Sequence, residues 1–134
     1  MPVKQVSPKQ ASELVGQGWS YLDVRSIPEY DAGHVPGAYN VPLMHMGPAG
    51  MAPNAEFAAV VAKTFPDKGA QIVVGCKAGG RSARAAEMLA ASGYRNLVDM
   101  NAGWSGNGKE PGWSQAGLPV EQKTPGKSFE ELKK

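Results

Sequence analysis

The stretch Ile72-Val73-Val74-Gly75-Cys76-Lys77-Ala78-Gly79-Gly80-Arg81-Ser82 settles the reading of this chain. Apolar β-branched residues lead into it, and a helix-forming run from Ala83 to Ala91 leads out. Those residues predict strand, tight glycine loop, helix. The only cysteine stands at the mouth of the loop. Backbone N–H groups in such a loop converge on one point, and the following helix N-terminus adds positive potential there. A cysteine so placed favours the thiolate, its nucleophilic form. Lone cysteines are often small buried hydrophobes. Here the glycines, Lys77 and Arg81 surround the thiol with a setting that suits an anion and not a core.

Spacing and neighbouring motifs sharpen this reading. Four residues separate Cys76 from Arg81, and Cys76, Gly79, Arg81 and Ser82 fit the pattern Cys-x-x-Gly-x-Arg-Ser. That pattern resembles the loop of the rhodanese family of sulfurtransferases. Tyr21-Leu22-Asp23-Val24-Arg25 resembles the family's strand ending in Asp-Val-Arg. The run from Gly33 to Pro42 is similar to its Gly-His-Ile-Pro-Gly-Ala-x-Asn-Ile-Pro segment. Trp113 with Gly117-Leu118-Pro119 matches its Trp, three residues, Gly-Leu-Pro ending. The resemblance runs over residues 3 to 120 and is nearest to small thiosulfate-type members. Tyrosine and dual-specificity phosphatases carry a loop one residue longer. By that family comparison the shorter loop suits a single sulfur atom and the wider one a phosphoryl group.

The resemblance implies a fold of about five mainly parallel strands with helices on both faces. It also implies a mechanism. Cys76 takes sulfur from a small anionic donor as a persulfide, held by backbone N–H groups of the loop Lys77, Ala78, Gly79, Gly80, Arg81 and Ser82. The sulfur then passes to cyanide, a thiol or a protein acceptor, with no metal and no organic cofactor. Lys77 and Arg81 favour doubly charged thiosulfate over mercaptopyruvate. Arg81 is expected to serve both the anion and the loop, while Asp23 and Arg25 brace the loops as supporting residues. A non-catalytic sulfur carrier or binding module is the alternative. A phosphatase or arsenate reductase would use the same thiol and arginine, but the spacing argues against it.

Composition sets the outer bounds. At 134 residues, one domain over residues 1–120 is expected, followed by a polar, flexible tail at 121–134. A net charge of +2 points to neither nucleic acid nor an anionic membrane. One cysteine rules out an internal disulfide and a Cys-rich zinc site, and His34 and His45 give a metal site little support. His34 reads as part of a structural turn. Met1 to Gln5 lacks the apolar core of a signal peptide, and no stretch is long enough to span a bilayer. The expectation is a soluble, cytoplasmic protein with a reduced thiol. A removed transit peptide, in a plant, would change that address.

Local signals outline the elements. Ser7-Pro8-Lys9-Gln10 is a capping box with proline at the first helical position. Residues 43 to 53, rich in Met, Gly and Pro, read as a loop. Met44, Met46 and Met51 are read as ordinary packing in preference to pocket lining. Asn54 is placed as the cap of a helix running to Phe65. Strands alternate with helices, which argues for an α/β fold. Trp113 follows Gly103 by ten residues where the family has four, so six residues are inserted within 104–112. That insertion is expected to reshape the rim of the site.

Overall fold

The computed structural model describes residues 3–48, 50–77, 80–122 and 124–134. Seven strands occur among them: β1 Lys4–Gln5, β2 Ser20–Asp23, β3 Tyr39–Asn40, β4 Met44–Gly47, β5 Gly50–Pro53, β6 Gln71–Gly75 and β7 Asn96–Met100. The helices are α1 Pro8–Gly16, α2 Ile27–Ala32, α3 Phe57–Thr64, α4 Gly80–Ala91 and α5 Phe129–Leu132, with a 3₁₀ turn at Trp113–Gln115. Five strands form one parallel sheet in the order β1-β7-β6-β2-β3. The expected α/β architecture is present, with β6 in the middle.

Burial on both faces explains why β6 reads as a continuous apolar run. Ile72 and Val74 join Leu22, Val61, Phe57 and Leu89 on the face covered by α3, α4 and α5. Val73 joins Tyr21, Val98, Met100 and Trp113 on the face covered by α1. The α1 capping box is made as its sequence indicates. Gln10 N–H donates to Ser7 Oγ (3.1 Å), and Ser7 N–H donates to Gln10 Oε1 (2.9 Å). Asn54 sits just ahead of α3, where its Oδ1 accepts the Glu56 N–H (2.9 Å) and its Nδ2 donates to the Pro42 carbonyl (2.8 Å).

Three segments differ from simple expectation. Residues 43–53 are not a loop: β4 and β5 pair antiparallel, with Met46 opposite Met51. Glycine and proline mask the ladder in the sequence, yet Gly50 pairs with Gly47 at its closed end, with a φ of +105°. The described residues after 120 make specific contacts with the domain. Glu121 exchanges backbone hydrogen bonds with His34 (2.8 and 2.9 Å), and the Lys127 carbonyl accepts from Asn40 N–H (2.9 Å) on the sheet's edge strand. Phe129 is 2% exposed and packs into the α3 and α4 core. Its burial supplies apolar energy that the polar composition conceals. Finally, the six-residue insertion is pinched off at its base. Trp113 N–H donates to Gly103 O (2.8 Å) and Ser114 N–H to Trp104 O (3.1 Å), so the chain re-enters beside the point where it left.

Candidate functional site

Cys76 directly follows β6, at the carboxyl end of the sheet's central strand. This is where open parallel sheets place their ligands. Its side chain is 2% exposed. The strand end needs Gly75 because the Tyr21 hydroxyl occupies the adjacent space: a Cβ at Gly75 would lie 1.8 Å from it. Lys77, next in the chain, is exposed. Ala78 and Gly79, both placed in the loop from sequence, lie outside the described residues. Gly80, Arg81 and Ser82 form the first turn of α4, which begins three residues ahead of the run from Ala83. The N-terminal end of that helix therefore abuts the loop, where its dipole favours negative charge.

The segment after β7 holds the loop from one side. Trp104 N–H donates to the Cys76 carbonyl (2.8 Å), and Ser105 N–H to the Lys77 carbonyl (2.9 Å). A trans peptide sets C=O and N–H on opposite sides, so the Lys77 N–H is turned away from this segment. Gly103 makes the close approach possible. Its φ is +67°, and a Cβ there would lie 2.5–2.7 Å from backbone atoms of Cys76 and Lys77. The insertion thus grows directly from the residues that clamp the loop.

Two arginine–carboxylate pairs flank this arrangement. Asp23 and Arg25 form a buried fork at the end of β2. Arg25 Nε donates to Asp23 Oδ1 (3.0 Å) and its Nη2 to Oδ2 (2.8 Å). Nη2 also reaches the Gly33 carbonyl (2.7 Å), and the guanidinium lies over the Trp104 ring (4.8 Å). Burial opposes the charge on Arg25, but Asp23 outweighs it and holds the arginine above its ordinary pKa. Asn40 Nδ2 ties the same turn through the carbonyls of Asp23 and Arg25, both at 3.0 Å.

The second pair joins α4 to α2. Arg81 Nη1 and Nη2 donate to Glu29 Oε1 (2.7 Å) and Oε2 (3.0 Å), a bidentate contact. Ser26 supports it, giving its N–H (3.0 Å) and its hydroxyl (2.8 Å) to Glu29 Oε1. Burial pushes the Glu29 carboxyl up, yet the bonds from Arg81 and Ser26 win and lower it to about 2. Glu29 is therefore ionised and takes up part of the Arg81 charge. Three of the five guanidinium N–H groups are not used by Glu29. On the far side of the loop lies Asp99, on β7, with a hydrogen bond from Ser82. Burial raises the Asp99 carboxyl against that bond, and among the described residues its Oδ1 has no partner.

A Rhodanese-like domain family model matches residues 7–109. The chain belongs to the rhodanese-like domain family. It is 38% identical to Thiosulfate sulfurtransferase 16, chloroplastic, of Arabidopsis thaliana over 86% of this chain and 90% of that one. It is 29% identical to Thiosulfate sulfurtransferase GlpE of Haemophilus influenzae over 90% of this chain and 97% of that one. The crystal structure of Rv0390 from M. tuberculosis superposes with a TM-score of 0.77 at 22% identity, over 92% of this chain and all (100%) of that chain. Among the described residues no helix is long and apolar enough to cross a membrane.

In this rhodanese-like domain the sequence-selected residues Cys76, Lys77, Gly80, Arg81 and Ser82 lie along one strand–loop–helix unit. Asp23 and Arg25 pair with each other at the end of β2. His34 makes structural contacts: its Nδ1 meets the Tyr30 carbonyl (2.7 Å) and its Nε2 the Thr124 hydroxyl (2.8 Å), tying α2 to the C-terminal segment. His45 packs against Phe129 at 5.5 Å. Sequence reasoning missed Glu29 as the partner of Arg81. The Ser26-x-x-Glu29 spacing was its only local signal. It also missed Gly103 and Trp104 as the clamp, and Asp99 under α4.

Proposed function

We propose that this protein is a sulfurtransferase that moves sulfane sulfur from thiosulfate, through a persulfide on Cys76, to cyanide or a thiol. The observation that carries the reading is the position of the only cysteine, at the end of the central strand and at the foot of α4. The family relatives named thiosulfate sulfurtransferase support the reaction class.

The Cys76 thiolate attacks the outer sulfur of thiosulfate. A new S–S bond forms, the donor's S–S bond breaks, and sulfite leaves with the electron pair. The outer sulfur of the persulfide is anionic, and loop N–H groups with the α4 N-terminus stabilise it without reorganising. The acceptor then attacks that outer sulfur, and its bond to Sγ breaks, returning the thiolate. Arg81 keeps α4 against α2 through Glu29, and its other N–H groups face the demands of the donor. Lys77, exposed beside the thiol, steers a dianion toward the loop.

Double displacement dictates parallel lines in double-reciprocal plots of thiosulfate against cyanide, and Cys76→Ser must abolish turnover. Intersecting lines, or turnover surviving in Cys76→Ser, contradict the reading. Hydrolysis of an aryl phosphate at comparable rate would favour a phosphatase instead. Slow turnover with every small acceptor, beside fast delivery to a protein, would make the chain a sulfur carrier.

A further inference from the structure

We infer that the cavity beside α4 is the binding site for the sulfur acceptor, and that this acceptor is an organic thiol with a benzene-sized apolar body and a carboxylate. The inference rests on the sulfurtransferase reading. The cavity, of about 140 Å³, is lined by Leu43, Met44, Pro53, Asn54, Phe57, Arg84 and Met88. An apolar cavity of roughly this size holds one benzene. Thiosulfate and cyanide are small and polar and have no use for such a wall. An organic acceptor does.

Location joins the cavity to the thiol. Leu43 and Phe57 belong to the same buried cluster as Cys76. On α4, at 100° per residue, Arg81, Arg84 and Met88 fall within an arc of about 60°, so the cavity continues the helix face that carries Arg81. Arg84 stands about one turn beyond Arg81, within roughly 6 Å of the helix start along its axis.

The lining also names the chemistry of the occupant. Arg84 is the one charged side chain on the cavity wall, and among the described residues no carboxylate pairs with it. An incoming carboxylate supplies that partner. Met88, on the cavity wall, is 41% exposed, which leaves an adaptable thioether at the mouth of the pocket. In the transfer step the acceptor thiolate attacks the outer persulfide sulfur. The bond to Cys76 Sγ breaks with its electron pair returning to Sγ, and the product is the organic persulfide.

The probe is para-mercaptobenzoate. Titrated into the reduced wild-type chain without donor, it should shift the methyl signals of Met44 and Met88 saturably and leave buried Met100, on the other sheet face, unmoved. Arg84→Gln should raise Kd about fivefold, the effect of losing one partly screened ion pair. In turnover, the ratio of kcat/KM for para-mercaptobenzoate over mercaptoethanol should fall about fivefold in Arg84→Gln and also fall in Met88→Ala. Both side chains are on the surface, so these variants fold. Normal cyanide turnover with no saturable shift at Met44 and Met88, or an unchanged ratio in both variants, would overturn the acceptor site alone. Absence of cyanide turnover in the wild-type chain would instead overturn the sulfur-transfer reading on which it rests.

Discussion

The two arginine–carboxylate pairs are built alike and sit in different surroundings. Arg25–Asp23 lies within one turn at the end of β2, its side chains 4% and 3% exposed. Arg81–Glu29 spans two helices, with both side chains 18% exposed. The first is closed off: one residue contributes both the hydrogen bond to Gly33 and the cation over Trp104. The second opens on the loop. A buried pair is costly to form and costlier to break, because the survivor is left charged and dry. A half-buried pair keeps some access to water and can share its cation with a ligand. The two pairs therefore differ in burial and in the elements they join, not in residue type.

The largest expected effect breaks the closed pair. Asp23→Ala strands the Arg25 charge and should cost roughly 3–5 kcal/mol in urea unfolding. Replacing both residues with apolar ones of similar size should recover much of that loss. If Asp23→Ala unfolds like wild type, the brace is dispensable. Next comes the open pair. Arg81→Met should cost about 1 kcal/mol or more in stability, because the pair is largely buried. It should also raise the thiosulfate KM or lower kcat. A loss of stability with wild-type kinetics would make Arg81 a brace like Arg25.

Acid sharpens the same contrast. Glu29 is held at about 2 against an ordinary 4.5, so its folded pKa is depressed. Its contribution to stability is complete above pH 4.5 and fades as pH falls from 4.5 toward 2. Glu29→Gln should flatten the unfolding free energy across that window, and an unchanged slope would contradict the ion pair. The smallest effect belongs to Lys77→Ala. A modest rise in thiosulfate KM that disappears in high salt is expected, because Lys77 is exposed and screened. A KM effect that survives salt would place Lys77 in direct contact with the donor.

Local residues made much of the site legible. Cys76, the glycines and the alanine-rich run lie next to one another in sequence, so strand, loop and helix could be read without tertiary knowledge. Ser7 and Gln10 announced the first helix for the same reason. Glu29 could not be read, because its partner is fifty-two residues away and only the docking of α2 on α4 brings them together. Gly103 and Trp104 act through backbone contacts with Cys76 and Lys77, which no side-chain pattern encodes. The C-terminal segment looked loose because its polar composition hides one buried anchor, Phe129. The hairpin at Met44–Pro53 was hidden by residues that ordinarily mark loops.

Intact-protein mass spectrometry tests the central claim most directly. Incubation with thiosulfate should add one sulfur, about 32 Da, to the wild-type chain and none to Cys76→Ser. Cyanide should then remove it and release thiocyanate. No mass gain, or a gain that also appears in Cys76→Ser, would contradict sulfur transfer through Cys76.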